Sequence, residues 1–108
     1  MTDLHDSIHQ YFEATNRRDF DTAMAAFALD ASVRDEGHAY KGHSEIKAWM
    51  KDAAGKYAPT AEVLSSRAEN ENTIVEARVT GSFPGSPVAV RFFFMLSDGK
   101  ISTLETRV

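Results

Sequence analysis

The sequence predicts an α+β domain, helices first and strands after, and three observations carry that prediction. Apolar residues recur at helical spacing in three segments between Leu4 and Tyr57, then alternate strictly from Thr60 onward. Turn-forming residues punctuate the second half at Asn70-Glu71-Asn72, Pro84-Gly85-Ser86-Pro87 and Asp98-Gly99. A length of 108 residues, 43% hydrophobic and 26% charged, fits one globular domain spanning 1–108 with a core of its own.

The elements follow in order. Thr2 or Asp3 caps a first helix, and Asp6 suits the positive end of its dipole. Leu4, Ile8, Tyr11, Phe12 and Thr15 form its apolar stripe, with Asp6, Glu13 and Arg17 opposite. Asn16 to Arg18 break the pattern, and Asp19 caps a second helix that buries Phe20, Ala23, Met24 and Phe27. Two short strands, 31–36 and 39–41, turn at Gly37. A third helix begins near His43 or Ser44, buries Ile46, Trp49, Met50, Ala53 and Tyr57, and ends at Gly55 and Pro59. Strands are expected near 61–69, 73–83, 87–97 and 100–107. In the 87–97 strand, Val88, Val90, Phe92, Phe94 and Leu96 share one face, while Arg91, Phe93 and Met95 share the other. Both faces are partly apolar, so both are expected to be covered, one by the helices and the other by a second subunit.

Several function classes are excluded at once. A formal net charge of -4 argues against nucleic-acid binding, which needs a clustered basic surface. The absence of cysteine removes disulfides, thiolate catalysis and cysteine zinc sites. No apolar run reaches the ~18–20 residues of a membrane span, and the N-terminus lacks the pattern of a signal peptide. A cytoplasmic protein without a membrane partner is expected.

Among polar residues Asp35 is the most informative. It alternates in phase with Val33, so an inward Val33 brings the Asp35 carboxylate inward too. There desolvation disfavours its charged form and makes it a proton acceptor. The competing reading is a strand-end residue that caps the Gly37 turn. Tyr11, on the apolar stripe, either donates to a developing oxyanion or packs with its hydroxyl satisfied by the backbone. Tyr57 poses the same choice, weighted toward packing by its place at a helix end. His5 and His9 have the spacing of a helical metal clamp but lack a third ligand, and no metal site is expected. His38, near Asp35 in sequence, is either a substrate contact at a pocket mouth or a solvated loop residue. Trp49 and Phe92-Phe93-Phe94 are core, or the lining of a cavity for a flat apolar ligand.

The stretch YFEATNRRDFDTAMAAFALDASVRDEG, followed by YKGHSEIKAWM, resembles the nuclear transport factor 2-like superfamily. The resemblance leans toward its ketosteroid isomerase and SnoaL-like polyketide cyclase branches. It rests on Asn16, Asp19, Phe27, Asp30-Ala31-Ser32-Val33-Arg34-Asp35, Gly42 and Ile46, and the later strands match the family's order. It implies a cone-shaped fold, three helices over a strongly curved, mostly antiparallel sheet that encloses a pocket. In ketosteroid isomerases an aspartate moves the proton while a tyrosine and a protonated aspartic acid hold the oxyanion. By position the first falls on Asp35 and the tyrosine on Tyr11. The second donor falls at Phe92, which cannot donate, and a supporting tyrosine falls near Met50.

The sequence therefore leads to a SnoaL-like or ketosteroid isomerase-like enzyme that moves a proton next to the carbonyl of a small apolar substrate. Asp35 is the expected base and Tyr11 the expected oxyanion donor. Phe12, His38, Trp49, Met50, Phe92 and Phe94 are the expected substrate contacts, and the chemistry needs no cofactor. The alternative is a non-catalytic ligand-binding or dimerisation module of the same fold. A homodimer is expected through the sheet face of Arg91, Phe93, Met95, Thr103, Glu105 and Arg107.

Overall fold

The computed structural model describes residues 4–108. Its elements are α1 (Asp6–Asn16), α2 (Phe20–Ala25), β1 (Phe27–Asp35), β2 (His38–Lys41), α3 (Gly42–Tyr57), β3 (Thr60–Glu69), β4 (Asn72–Thr80), β5 (Val88–Ser97) and β6 (Lys100–Arg107). Thr2 and Asp3, expected to cap α1, lie outside the described residues. The α1 cap is His5, whose Nδ1 accepts the Ser7 N–H at 3.1 Å. Ile8, Tyr11, Phe12 and Ala14 form the buried stripe of the helix. Asp19 caps α2 as expected, and its side chain takes both the N–H and the hydroxyl of Thr22. Those two hydrogen bonds, the hydroxyl's first, hold the Asp19 carboxyl below its ordinary range.

Three boundaries differ from the sequence reading. Phe27, expected on the buried face of the second helix, instead opens β1. There it pairs with Ile101 of β6, and the Ile101 N–H bonds the Ala26 carbonyl at 2.9 Å. Gly55, expected as a stop, lies inside α3, which runs on to Tyr57 and ends at Ala58 in the left-handed conformation (φ 45°) just before Pro59. The fourth-strand expectation of 73–83 is also shortened, since β4 ends at Thr80. Beyond it the Ser82 N–H bonds the Tyr57 carbonyl at 2.7 Å. A Cβ on Gly81 would lie 2.5 Å from that same carbonyl oxygen, so only glycine allows this approach of the β4–β5 loop to the end of α3.

The six strands form one curved, unclosed sheet in the order β2-β1-β6-β5-β4-β3, antiparallel except where β1 runs parallel to β6. The chain returns from β2 through α3, and all three helices cover the concave face. On β5 the alternation resolves as expected. Phe92 and Phe94 are buried against α1, with Phe12 edge-on to both at ring-centroid distances of 5.0 and 5.8 Å. Each such burial contributes roughly 1.5–3 kcal/mol. On the convex face Phe93 and Met95 are only half-buried, and the Arg107 guanidinium lies 5.0 Å from the Phe93 ring centroid.

Candidate functional site

A pocket of about 200 Å³ lies between the helices and the concave face of the sheet. Six of the eight expected site residues line it: Tyr11, Phe12, Asp35, Trp49, Met50 and Phe92. The other two are placed elsewhere. Phe94 is fully buried behind Tyr11 and Phe12, in the core beneath the pocket floor, because its position on β5 is one pleat deeper than that of Phe92. His38 pairs directly with Asp35 across the β1–β2 hairpin, yet it is exposed and does not line the pocket.

Asp35 reaches the pocket because β1 keeps its alternation to the last residue, with Val33 buried at 1% exposure and Asp35 following it inward. The carboxylate is held at both oxygens. Trp49 of α3 donates its indole N–H to Oδ2 at 3.0 Å, and Thr106 of β6 donates its hydroxyl to Oδ1. The Trp49 ring is in turn stacked on Tyr40 of β2 at 5.8 Å. Both donors come from elements far from Asp35 in the chain, α3 and β6.

Tyr11 is 6% exposed and sits among Phe12, Phe27, Phe92 and Phe94, every pair in an edge arrangement with ring centroids 5.0–6.4 Å apart. Burial first, and then the negative charge of Asp35, push its phenol well above its ordinary value. The hydroxyl therefore keeps its proton and remains a donor. It is not a sealed, unsatisfied group, and it bonds no acceptor among the described residues. It opens onto the pocket.

Thr106, Arg18, Asn16 and Thr15 also line the pocket but were not singled out from sequence. Thr106 had a signal available, since it stands two residues past the buried Leu104 and directly across from Phe92 on β5. Asn16 holds the wall together. Its amide exchanges two hydrogen bonds of 2.9 Å with the backbone of Ala61, tying the end of α1 to β3. Among the described residues, Asp35 is the one carboxylate of the lining and Arg18 its one arginine or lysine. A larger groove of about 840 Å³ shares Asp35, Trp49 and Thr106 with the pocket and runs outward past Tyr57 and Phe83. Asp35 thus stands where the inner pocket meets its approach.

Two other histidines have local roles. His5 caps α1, and exposed His9 lies 3.7 Å from Glu13 one turn on. Among the described residues no group of three or more histidine, aspartate or glutamate side chains could hold a metal ion.

Residues 8–104 fit the model of the SnoaL-like domain. The chain belongs to the SnoaL-like family. A solved structure, the "putative polyketide cyclase" of Sinorhizobium meliloti, is 38% identical over 96% of this chain and 95% of its own, with a TM-score of 0.93. A protein of ketosteroid isomerase-like fold from Catenulispora acidiphila is 13% identical over 98% of this chain and 87% of its own, with a TM-score of 0.85. A cystatin-fold protein from Novosphingobium aromaticivorans is 17% identical over 95% and 96% of the two chains, with a TM-score of 0.79. The last two show the fold alone. No curated protein matches the chain. No helix among the described residues is long and apolar enough to cross a membrane.

Proposed function

We propose that this SnoaL-like chain is an enzyme that moves a proton on carbon next to a carbonyl, within a small apolar substrate and without a cofactor. One observation carries the reading: among the described residues, the one carboxylate of a largely apolar pocket shares it with a protonated phenol that bonds no protein acceptor. Asp35 takes the proton from the α-carbon, and the C–H electron pair becomes the C=C bond of an enolate. The carbonyl electrons move to oxygen, where the Tyr11 hydroxyl stabilises the developing charge. Asp35 then returns the proton to carbon, or the enolate carbon attacks a second carbonyl within the substrate and closes a ring, that carbonyl's π electrons moving to its oxygen, which takes the proton from Asp35. Trp49 and Thr106 keep the carboxylate aimed into the pocket. An apolar cavity of ~150 Å³ holds benzene, so about 200 Å³ suits one or two rings, with any longer part lying in the outer groove.

The experiment is deuterium wash-in next to the carbonyl of small aromatic ketones such as tetralone, followed by NMR in heavy water. The parent chain should accelerate exchange. Asp35→Asn, which keeps the shape, with its amide oxygen accepting from Trp49 and its NH2 donating to the Thr106 hydroxyl, should lose about 10²–10⁴ of that rate. Equal exchange by parent and variant removes Asp35 as the base.

One observation favours a second reading, a ligand-binding module. Both Asp35 oxygens are already engaged, as in a structural carboxylate. Under that reading ligands bind and no ketone exchanges. In either case we propose a homodimer through the convex face, where Phe93 and Met95 are half-exposed between Arg91, Thr103 and Glu105.

A further inference from the structure

The pocket contains a cation that proton transfer leaves unused. Arg18 follows the end of α1 in the left-handed conformation, with φ of 63°, a place that favours glycine or asparagine. The neighbouring Arg17 is exposed and lies near Glu13 and Asp19, at 3.3 and 4.0 Å. Arg18 instead lines the pocket, and its one side-chain hydrogen bond runs from Nη1 to the Thr15 carbonyl at 2.9 Å. That contact uses a single one of the five N–H donors of a guanidinium. Arg18 forms no ion pair among the described residues. Asp35, the only carboxylate of the lining among those residues, is taken up by Trp49 and Thr106 instead. Arg18 therefore presents a guanidinium with free donors and no direct ion pair to a largely apolar pocket.

We propose that Arg18 binds a carboxylate on the ligand, so that the substrate is a small cyclic or aromatic ketone whose otherwise apolar frame bears one acid group. The proposal rests on the pocket being the substrate site. A planar carboxylate matches the fork of a single guanidinium, and charge-assisted pairs of this kind are the strong ones. A phosphate would call for more than the one cation the lining supplies. The Asp35 charge repels the same carboxylate, so the ligand is oriented with its acid at Arg18 and its ketone toward Tyr11 and Asp35. Arg18 is then a specificity residue, and Asp35 and Tyr11 act on the far end of the molecule.

The test compares benzoylpropionate with its methyl ester, an enolisable aromatic keto acid and its neutral form. Binding is read from the fluorescence of Trp49, the single tryptophan of the chain. The parent should bind the acid about tenfold to a hundredfold more tightly than the ester. Arg18→Asn, which suits the left-handed backbone, should erase that preference, the acid losing about tenfold to a hundredfold more affinity than the ester. Arg18→Lys, with charge but no fork, should keep part of it. Acid and ester binding equally to the parent overturns the carboxylate site and leaves the pocket standing. An undiminished acid preference in folded Arg18→Asn or Arg18→Lys, checked by circular dichroism, overturns it too. If neither compound perturbs Trp49 in the parent, the substrate pocket itself is refuted, and the carboxylate site with it.

Discussion

Replacing Tyr11 by phenylalanine separates catalysis from stability more sharply than any other single change in this fold. The ring keeps its edge contacts with Phe12, Phe27, Phe92 and Phe94, so no cavity opens. The deleted hydroxyl bonds no described acceptor, so no buried group is left unpaired. The expected change in stability near neutral pH is therefore within about 0.5 kcal/mol, as for changes that disturb no packing or network. Catalysis should respond differently. Phe92 supplies no second donor, so removing the Tyr11 hydroxyl should lower ketone exchange by about 10²–10³, the usual effect of losing one oxyanion donor. Alkali gives a third reading with a definite sign. Burial and the Asp35 charge raise the folded phenol above its unfolded value of ~10, so folding favours the protonated form. That contribution is fully present below pH ~10. It is lost as pH rises further, because the unfolded chain gives up a proton that the folded chain retains. Urea melts at pH 9 and pH 11 should show a steeper alkaline loss for the parent than for Tyr11→Phe. Destabilisation of more than ~2 kcal/mol at neutral pH would show that the hydroxyl is a structural hydrogen-bonding group. Unchanged exchange would remove it from the oxyanion site.

Phe94→Ala empties the centre of the core beneath the pocket, where the side chain is fully buried. It should cost about 3–5 kcal/mol, seen as a fall of more than ~10 °C in Tm, and a fall of only a few degrees would show that the helices collapse onto the gap. Phe93→Glu places a charge in the centre of the convex face. Sedimentation should find the parent as a dimer of a 12.0 kDa chain and the variant as a monomer, and a parent already monomeric at micromolar concentration defeats the dimer.

The sequence alone determined the fold class, the strand turns and the inward phase of Asp35, because these depend on short-range periodicity. A carboxylate two residues after Val33 on a strand shares its face wherever that strand is placed. The same arithmetic located Phe92 on the concave side of β5 and Tyr11 on the buried stripe of α1. The tertiary structure decided what those side chains meet. Nothing local told Phe27 to leave a helix, since the partner that drew it into β1 is Ile101, far along the chain. The two donors on Asp35 come from α3 and β6, and only curvature of the sheet brings Thr106 and Trp49 to one carboxylate. His38 shows the reverse case, near Asp35 in both sequence and register and still outside the pocket. Arg18 is one more charge in a helix break by sequence, whereas in the fold it lines the pocket wall from a left-handed backbone position. Periodicity fixes which face a residue occupies, whereas contacts between distant segments, and the backbone angles they hold in place, decide what occupies the space in front of it.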